Sequence, residues 1–284
     1  IEECCELGPL HNPHNLTGIR ACAEIMPNVP QVAVFDTGFH QTMPDYAYLY
    51  ALPYEYYEKY KIRRYGFHGT SHRYVSQRAA AMLGREDIKI VTCHLGNGSS
   101  ISAVVNGKCL DTTMGLTPAE GIMMGTRSGD IDAGIINYMH GSLNMKMEEI
   151  WNVLNKESGV LGLSEVSSDM RDVSAAKDAG NKQAELAIDA YYYRVKKYVG
   201  AYAAAMGGVD LVVFTGGVGE NKKDMRHAVC ENMEWMGLDF DAEKNDTIMG
   251  EDAIITKPGS KVKAVVICTN EELVIATDTY NLVK

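Results

Sequence analysis

Between Asp87 and Thr113 the chain leaves little choice of local structure. Ile88-Lys-Ile-Val-Thr-Cys93 is a β-branched run of strand length, and His94-Leu-Gly-Asn-Gly-Ser-Ser100 is a Gly-rich turn. Ile101-Ser-Ala-Val-Val105 is a second strand. Asn106-Gly107 is a hairpin signal, because both residues tolerate the positive φ that a two-residue turn demands. Cys109 to Thr113 supplies a third strand. Elsewhere strand-like and helix-like stretches alternate, which argues for an α/β protein. Gln31-Val-Ala-Val-Phe-Asp36 reads as a short strand ending in a carboxylate, and Ser71 to Leu83 as a helix stopped by Gly84.

The second half follows the same logic. Leu186, Ala187, Ala190, Tyr191, Val195, Tyr198, Val199, Tyr202 and Met206 fall on one face of a helix predicted over Gln183 to Met206, and Gly207-Gly208 ends it. Val209 to Phe214 reads as a buried strand, after which Thr215-Gly-Gly-Val-Gly-Glu-Asn221 turns into a helix. Lys263 to Cys268 is a further strand. The last helix is predicted to open with a capping box, Thr269 as N-cap and Glu272 at the third helical position.

The 284 residues suffice for two compact domains or one large one. A net charge of −10 argues against general nucleic-acid binding, so any anion needs a local basic pocket. The seven cysteines form no Cys-x-x-Cys pair, and their number is odd. A disulfide framework is therefore not expected, and a reducing, cytoplasmic compartment fits. No apolar run approaches the roughly 20 residues of a membrane span, so no membrane association is expected. The first residues, Ile1-Glu2-Glu3-Cys4-Cys5, have neither the charge nor the apolar run of a signal peptide and no initiator Met. The chain is expected to begin inside a longer protein.

Two Gly-rich turns follow apolar strands. In the first, Gly96, Gly98 and the hydroxyls of Ser99 and Ser100 provide what a phosphate-holding loop needs, since small residues let backbone N–H groups close on phosphate oxygens. It lacks the Gly-Lys-Ser/Thr ending and following helix of a P-loop. A plain hairpin turn explains it equally well. The second, Gly216-Gly217-Val218-Gly219, precedes a helix start, where anions are favoured; glycines also simply end strands. Together the two turns point to a nucleotide site.

Arg127, in Met124-Gly-Thr-Arg-Ser-Gly-Asp-Ile-Asp132, either steadies charge on a transferring phosphoryl group or pairs with Asp130 or Asp132 at a turn. Three of the eight histidines are His68, His72 and His94; as single residues they read equally as hydrogen-bonded structural groups. No zinc-type spacing is present. Asp36 stands where open α/β sheets place ligands, at a strand end. Glu271 and Glu272 lie in a first helical turn, where the helix dipole alone favours carboxylates. Tyr46, Tyr48 and Tyr50 alternate and read as packing residues.

Taken together, six segments resemble the signatures of the acetate kinase family. They are Val34-Phe-Asp-Thr-Gly-Phe-His-Gln-Thr-Met-Pro44, Arg64-Tyr-Gly-Phe-His-Gly-Thr-Ser-His72, His94 to Ser100, Met124 to Asp132, Phe214 to Asn221 and Thr269-Asn-Glu-Glu-Leu273. They occur in the family's order and span nearly the whole chain. The resemblance implies a two-domain fold of the actin, Hsp70 and sugar kinase type (ribonuclease H-like), working as a homodimer. Residues 41–269 are expected to form the nucleotide-binding domain, and residues 1–40 with 270–284 the remainder of an incomplete N-terminal domain.

The resemblance also assigns roles. Asp36, His68 and Arg127 match catalytic positions. His94, Leu95, Gly96, Asn97 and Gly98, then Asp169, Met170 and Arg171, then Gly217, Val218, Gly219, Glu220 and Asn221 match nucleotide-binding segments. Leu10, His11, Phe67 and Pro118 match the substrate pocket. Glu271 matches a glutamate linked to Mg2+ or Mn2+. The implied activity is reversible in-line phosphoryl transfer from ATP to acetate, giving acetyl phosphate and ADP. A carboxylic acid titrates near pH ~4, so acetate is already ionised at neutral pH and no general base is required. Propionate or butyrate kinase is the near alternative, and a nucleotide-binding module without transfer the more distant one. The family's opening Asn-x-Gly-Ser-Ser-Ser-x-Lys strand and a carboxylate-binding arginine are not found in this sequence.

Overall fold

The three strands of the meander form one half of a six-stranded sheet. They are β1 (Lys89–Leu95), β2 (Ser99–Val105) and β3 (Lys108–Thr112). Asn106 and Gly107 take φ values of 51° and 76° between β2 and β3, as a primed two-residue turn requires. The other half consists of β4 (Leu211–Thr215), β5 (Ala253–Ile254) and β6 (Lys263–Val266). β4 runs parallel to β1, β6 parallel to β4, and β5 antiparallel to β6. The strand order is β3-β2-β1-β4-β6-β5. This mixed sheet, a meander continued by parallel strands, is the ribonuclease H-like arrangement implied by the resemblance. The computed structural model describes residues 1–5 and 12–284.

The helices include α1 (Asn12–Ile25), α2 (Gly69–Leu83), α3 (Met170–Asp178), α4 (Lys182–Ala205), α5 (Gly216–Asn221), α6 (Lys223–Cys230) and α7 (Glu271–Val283). Side chains alternate across the sheet. Val91, Cys93, Leu95, Val212 and Phe214 face α3, α4 and α6 in the larger core. Ile90, Val104, Leu211, Val213 and Val265 face α2, whose Val75 and Ala79 complete the smaller core. Asn181 caps the long α4 by accepting from Gln183 and Ala184 N–H, and Gly207 and Gly208 end it with positive φ.

Two local expectations fail. Gln31 to Asp36 forms no strand among the described residues. Residues 31–34 do alternate between exposed and half-buried, but a strand exists only through a paired neighbour. The N-cap is also displaced by one residue, and with Leu273 at the third helical position no capping box forms. Asn270 is the N-cap of α7 and accepts from Leu273 N–H at 2.9 Å. Thr269 is turned inward instead: its hydroxyl meets Ser71 Oγ at 2.9 Å and its N–H donates to Glu220 at 3.1 Å. Among the described residues no helix is long and apolar enough to cross a membrane.

Candidate active site

The parallel pairing brings the predicted segments to one edge of the sheet. His94 lies opposite Thr215, and Phe214 opposite Val266. The turn after β1, the turn after β4 and the start of α7 after β6 therefore emerge side by side. Ligands of open sheets sit at such carboxyl ends. Gly216 adopts φ +77°, and a Cβ there would come within 2.8 Å of the Leu95 carbonyl oxygen. Only glycine lets the two turns lie this close.

Below this edge lies a polar layer that the strand alternation creates. Thr92 and His94 of β1 and Ser100 and Ser102 of β2 share a face with Ile90, in register as Thr92–Ser102 and His94–Ser100. Opposite them α2 presents His68, Ser71, His72, Val75 and Ala79, spaced as one helical face. His72, fully buried, places Nδ1 2.7 Å from Thr92 Oγ1 and Nε2 2.7 Å from Ser100 Oγ. Ser100 Oγ lies 2.8 Å from His68 Nδ1. His94 Nδ1 lies 2.8 Å from Ser71 Oγ, and its ring stacks on His68 at 4.2 Å. His40, also buried, meets Cys109 Sγ and the Phe67 carbonyl and stands edge-on to His72.

Desolvation keeps these rings neutral. It pulls His40 and His68 down to about 4, His94 to about 3, and His72 well below the usual range. The histidines are thus both structural and at the site, two readings that local sequence left open. The Ser99 and Ser100 hydroxyls, expected to face phosphate, do not. Both are buried, Ser100 between two histidines and Ser99 against Tyr191 OH at 2.9 Å and the Gly96 backbone. As the first residues of β2 they point into the layers, leaving the Gly96–Gly98 backbone to face outward.

His68 occupies the left-handed region, with φ 57° and ψ 27°. Such a conformation in a non-glycine residue costs energy and is met at functional sites. Here it aims the His68 N–H at Asp36 Oδ2, 2.7 Å away. Its Nε2 faces Gly98: a Cβ on that glycine would lie 3.4 Å from His68 Nε2 and 3.6 Å from Arg127 Nη1. The two groups thus converge on one small space. Arg127 has no carboxylate partner among the described residues, so the turn pairing with Asp130 or Asp132 does not occur. Asp130 accepts from Gly121 N–H and Asp132 from Gly134 N–H. Arg127 Nη1 instead donates to the Pro118 carbonyl at 3.2 Å. The loop carrying Pro118 is secured by Arg64, which donates to the Thr112 and Thr113 carbonyls and pairs with Glu120 at 2.6 Å.

The second turn is secured differently. Glu220 accepts from Gly216 N–H at 2.8 Å, and Arg226, fully buried, donates to the carbonyls of Gly219, Glu220 and Ile248. Gly217 is exposed with open space beside it, and Asn221 is exposed near Gly250. Val218 is half-buried, and Leu95, Met170 and Gly219 are buried. Asn97 is exposed, and its carbonyl accepts from Gly125 N–H at 2.9 Å. A Cβ on Gly125 would meet the Ser168 carbonyl at 3.2 Å, which brings the Asp169 segment beside the first turn. Asp169 caps α3 and pairs with the exposed Arg171. Leu10 and His11 lie outside the described residues.

Asp36 and Glu271 form an acidic pair at the same edge. Burial, then the charges of Asp36 and Glu272, raise the Glu271 carboxyl above its usual range. Two carboxylates whose charges repel one another are a hard-oxygen donor set. It suits Mg2+, which takes one or two carboxylates and completes its shell with water and phosphate. No group of three or more His, Cys, Asp or Glu side chains converges on a cation position among the described residues. The pair therefore fits a metal shared with substrate phosphates, and not a cage built of protein alone.

Sequence reasoning passed over His40, Thr92, Arg64 and Arg226. Arg226, in Lys222-Lys-Asp-Met-Arg226, looks like an ordinary surface charge. The other signals were present but weak: the polar residues on β1 and β2 fall at every second position, facing a helix that is itself His- and Ser-rich.

The acetokinase family model matches residues 1–277. An acetate kinase of Bacteroides thetaiotaomicron is 61% identical over 283 residues, covering 99% of this chain and 71% of that protein. The crystal structure of Porphyromonas gingivalis acetate kinase superposes with a TM-score of 0.96 at 53% identity, over 100% of this chain and 71% of that one. A propionate kinase from Francisella tularensis superposes with a TM-score of 0.91 at 47% identity, over 97% and 70%. With the six motifs, the sheet order and these matches in agreement, the chain belongs to the acetokinase family.

Proposed function

We propose that this chain carries out reversible phosphoryl transfer between ATP and acetate. The observation that carries the reading is the convergence of His68 Nε2 and Arg127 Nη1 on the space beside Gly98. An acetate oxygen attacks the γ-phosphorus in line, the bond to the ADP oxygen breaks, and that oxygen leaves with the electron pair. Catalysis then consists of positioning and charge neutralisation. Arg127, free of any carboxylate among the described residues, holds a full positive charge for the equatorial oxygens, and neutral His68 adds a hydrogen-bond donor. The backbone of Gly96 to Gly98 and of Gly217 to Asn221 lines the nucleotide phosphates, with His94, Leu95 and the Asp169–Arg171 segment beside them. Phe67 and Pro118, together with Leu10 and His11, shape the acyl side. Asp36 and Glu271 would hold Mg2+ or Mn2+, which would offset charge on the transferring phosphates.

We further infer two units, residues 41–269 and residues 1–40 with 270–284. In support, among the described residues of 1–40 only His40 is buried, and α7 buries only Val274. A homodimer and a cytoplasmic location complete the reading, the latter in keeping with seven free cysteines.

The similarity to a propionate kinase keeps the longer acid as a second substrate. The test is kcat/KM for acetate against propionate with the full-length protein, following acetyl phosphate formation. One methylene is worth ~1–3 kcal/mol, so acetate is expected to be favoured by roughly tenfold or more. Equal or reversed values would make propionate the substrate, and ATP binding without acyl phosphate formation would reduce the protein to a nucleotide-binding module.

A further inference from the structure

We propose that His72 and Ser100 are positioning residues that fix the tautomer of His68, so that its Nε2 carries the hydrogen and faces the phosphoryl site as a donor. The inference rests on the reading of His68 as a phosphoryl ligand and adds what orients it.

Ser100 Oγ has one hydrogen but two imidazole neighbours, His68 Nδ1 at 2.8 Å and His72 Nε2 at 2.7 Å. Each neutral imidazole has one N–H and one lone pair. Thr92 Oγ1, at 2.7 Å from His72 Nδ1, also has one hydrogen. Ser100 could accept from both rings, but its own buried hydrogen would then have no acceptor, so the chain Thr92–His72–Ser100–His68 uses the Ser100 hydrogen in only two directions. In one, Thr92 donates to His72 Nδ1, His72 Nε2–H donates to Ser100, and Ser100 donates to His68 Nδ1; His68 then has its hydrogen on Nε2. In the other every bond reverses, and His68 turns a lone pair to the site.

Geometry and chemistry select the first. In the reversed chain the Thr92 hydrogen must go to the Ser102 carbonyl at 3.4 Å, beyond the usual range for a hydroxyl donor. In the forward chain every hydrogen lies in a 2.7–2.8 Å contact, and the terminal donor meets an anion. Among the described residues the ring nitrogens of both histidines meet only hydroxyl groups and no carboxylate, so each ring carries a single hydrogen. His94, stacked at 4.2 Å, holds the plane of the His68 ring.

The test uses the full-length protein labelled with 15N-histidine, with tautomers read from long-range 1H–15N correlations. Wild type is expected to show His68 protonated at Nε2 and bare at Nδ1. Ser100→Ala should mix the two His68 tautomers and lower kcat about tenfold, a loss equivalent to ~1.4 kcal/mol, with KM for ATP changed less than twofold. His72→Met should behave like Ser100→Ala. His72→Gln, whose amide N–H can replace the Nε2 donor, should restore most of the single tautomer and of kcat. A wild-type His68 protonated at Nδ1 overturns the proposal, and needs no variant to fold. So does a Ser100→Ala protein whose His68 tautomer is unchanged. A His68→Ala protein with unchanged kcat would instead remove the phosphoryl role, which the spectrum does not read, so the two failures are distinguishable.

Discussion

The two Gly-rich turns lie side by side at one edge of the sheet but are held by different physics. The turn after β1 stands on a layer of side chains: Ser99 and Ser100 are tied to Tyr191, His68 and His72, with His94 stacked above. The turn after β4 is held by backbone fit. Gly216 lies against Leu95, and its partners Glu220 and Arg226 bind main-chain groups. The first should therefore respond to protonation and to loss of hydroxyls, and the second to added volume.

Acid should separate them most strongly. His40 and His68 titrate near 4 and His94 near 3 in the folded chain, against ~6.5 when unfolded. Between these values the unfolded chain binds more protons, so stability is complete above ~6.5 and is lost as pH falls through the folded values. A ring shifted to about 4 takes away roughly 3 kcal/mol of stability by the time pH has fallen below its folded value. Urea midpoints are expected to fall steeply from pH 6.5 to 4, with the His94 and His68 resonances broadening before those around Gly216. A midpoint flat across that window would mean that burial does not depress these rings.

Removing charge at the first turn should act on rate. The proposed role of Arg127 at the transferring phosphoryl group predicts that Arg127→Ala reduces kcat by about 10²–10³ while KM for ATP moves little. A large rise in KM with kcat unchanged would assign Arg127 to ground-state binding. The smallest expected effect belongs to the second turn. Gly216→Ala forces a left-handed backbone costing ~1–2 kcal/mol and sets a Cβ 2.8 Å from the Leu95 carbonyl. Calorimetry should show weaker ADP binding together with a lower Tm. An unchanged ADP affinity would mean that the second turn does not contact the nucleotide.

Local sequence determined a good deal. The meander, the Asn106-Gly107 hairpin, the long α4 and its glycine stop were legible because periodicity and turn chemistry act between near neighbours. Family membership was legible too, because the motifs are long and ordered. Local sequence also misled where a partner was needed: Gln31 to Asp36 has a strand's pattern with no strand beside it, and Thr269 was drawn inward to Ser71 while Asn270 took the cap.

Only the tertiary structure decided what the polar residues do. Whether Arg127 pairs locally or faces the site depended on Asp130 and Asp132 being engaged by Gly121 and Gly134. Whether Ser100 meets phosphate or histidine depended on which side of β2 α2 covers. Whether Arg226 is a surface charge or a buried clamp depended on where residues 245–248 return. Hydrogen bonds and desolvation are set by atoms distant in the chain, and no local pattern carries that information.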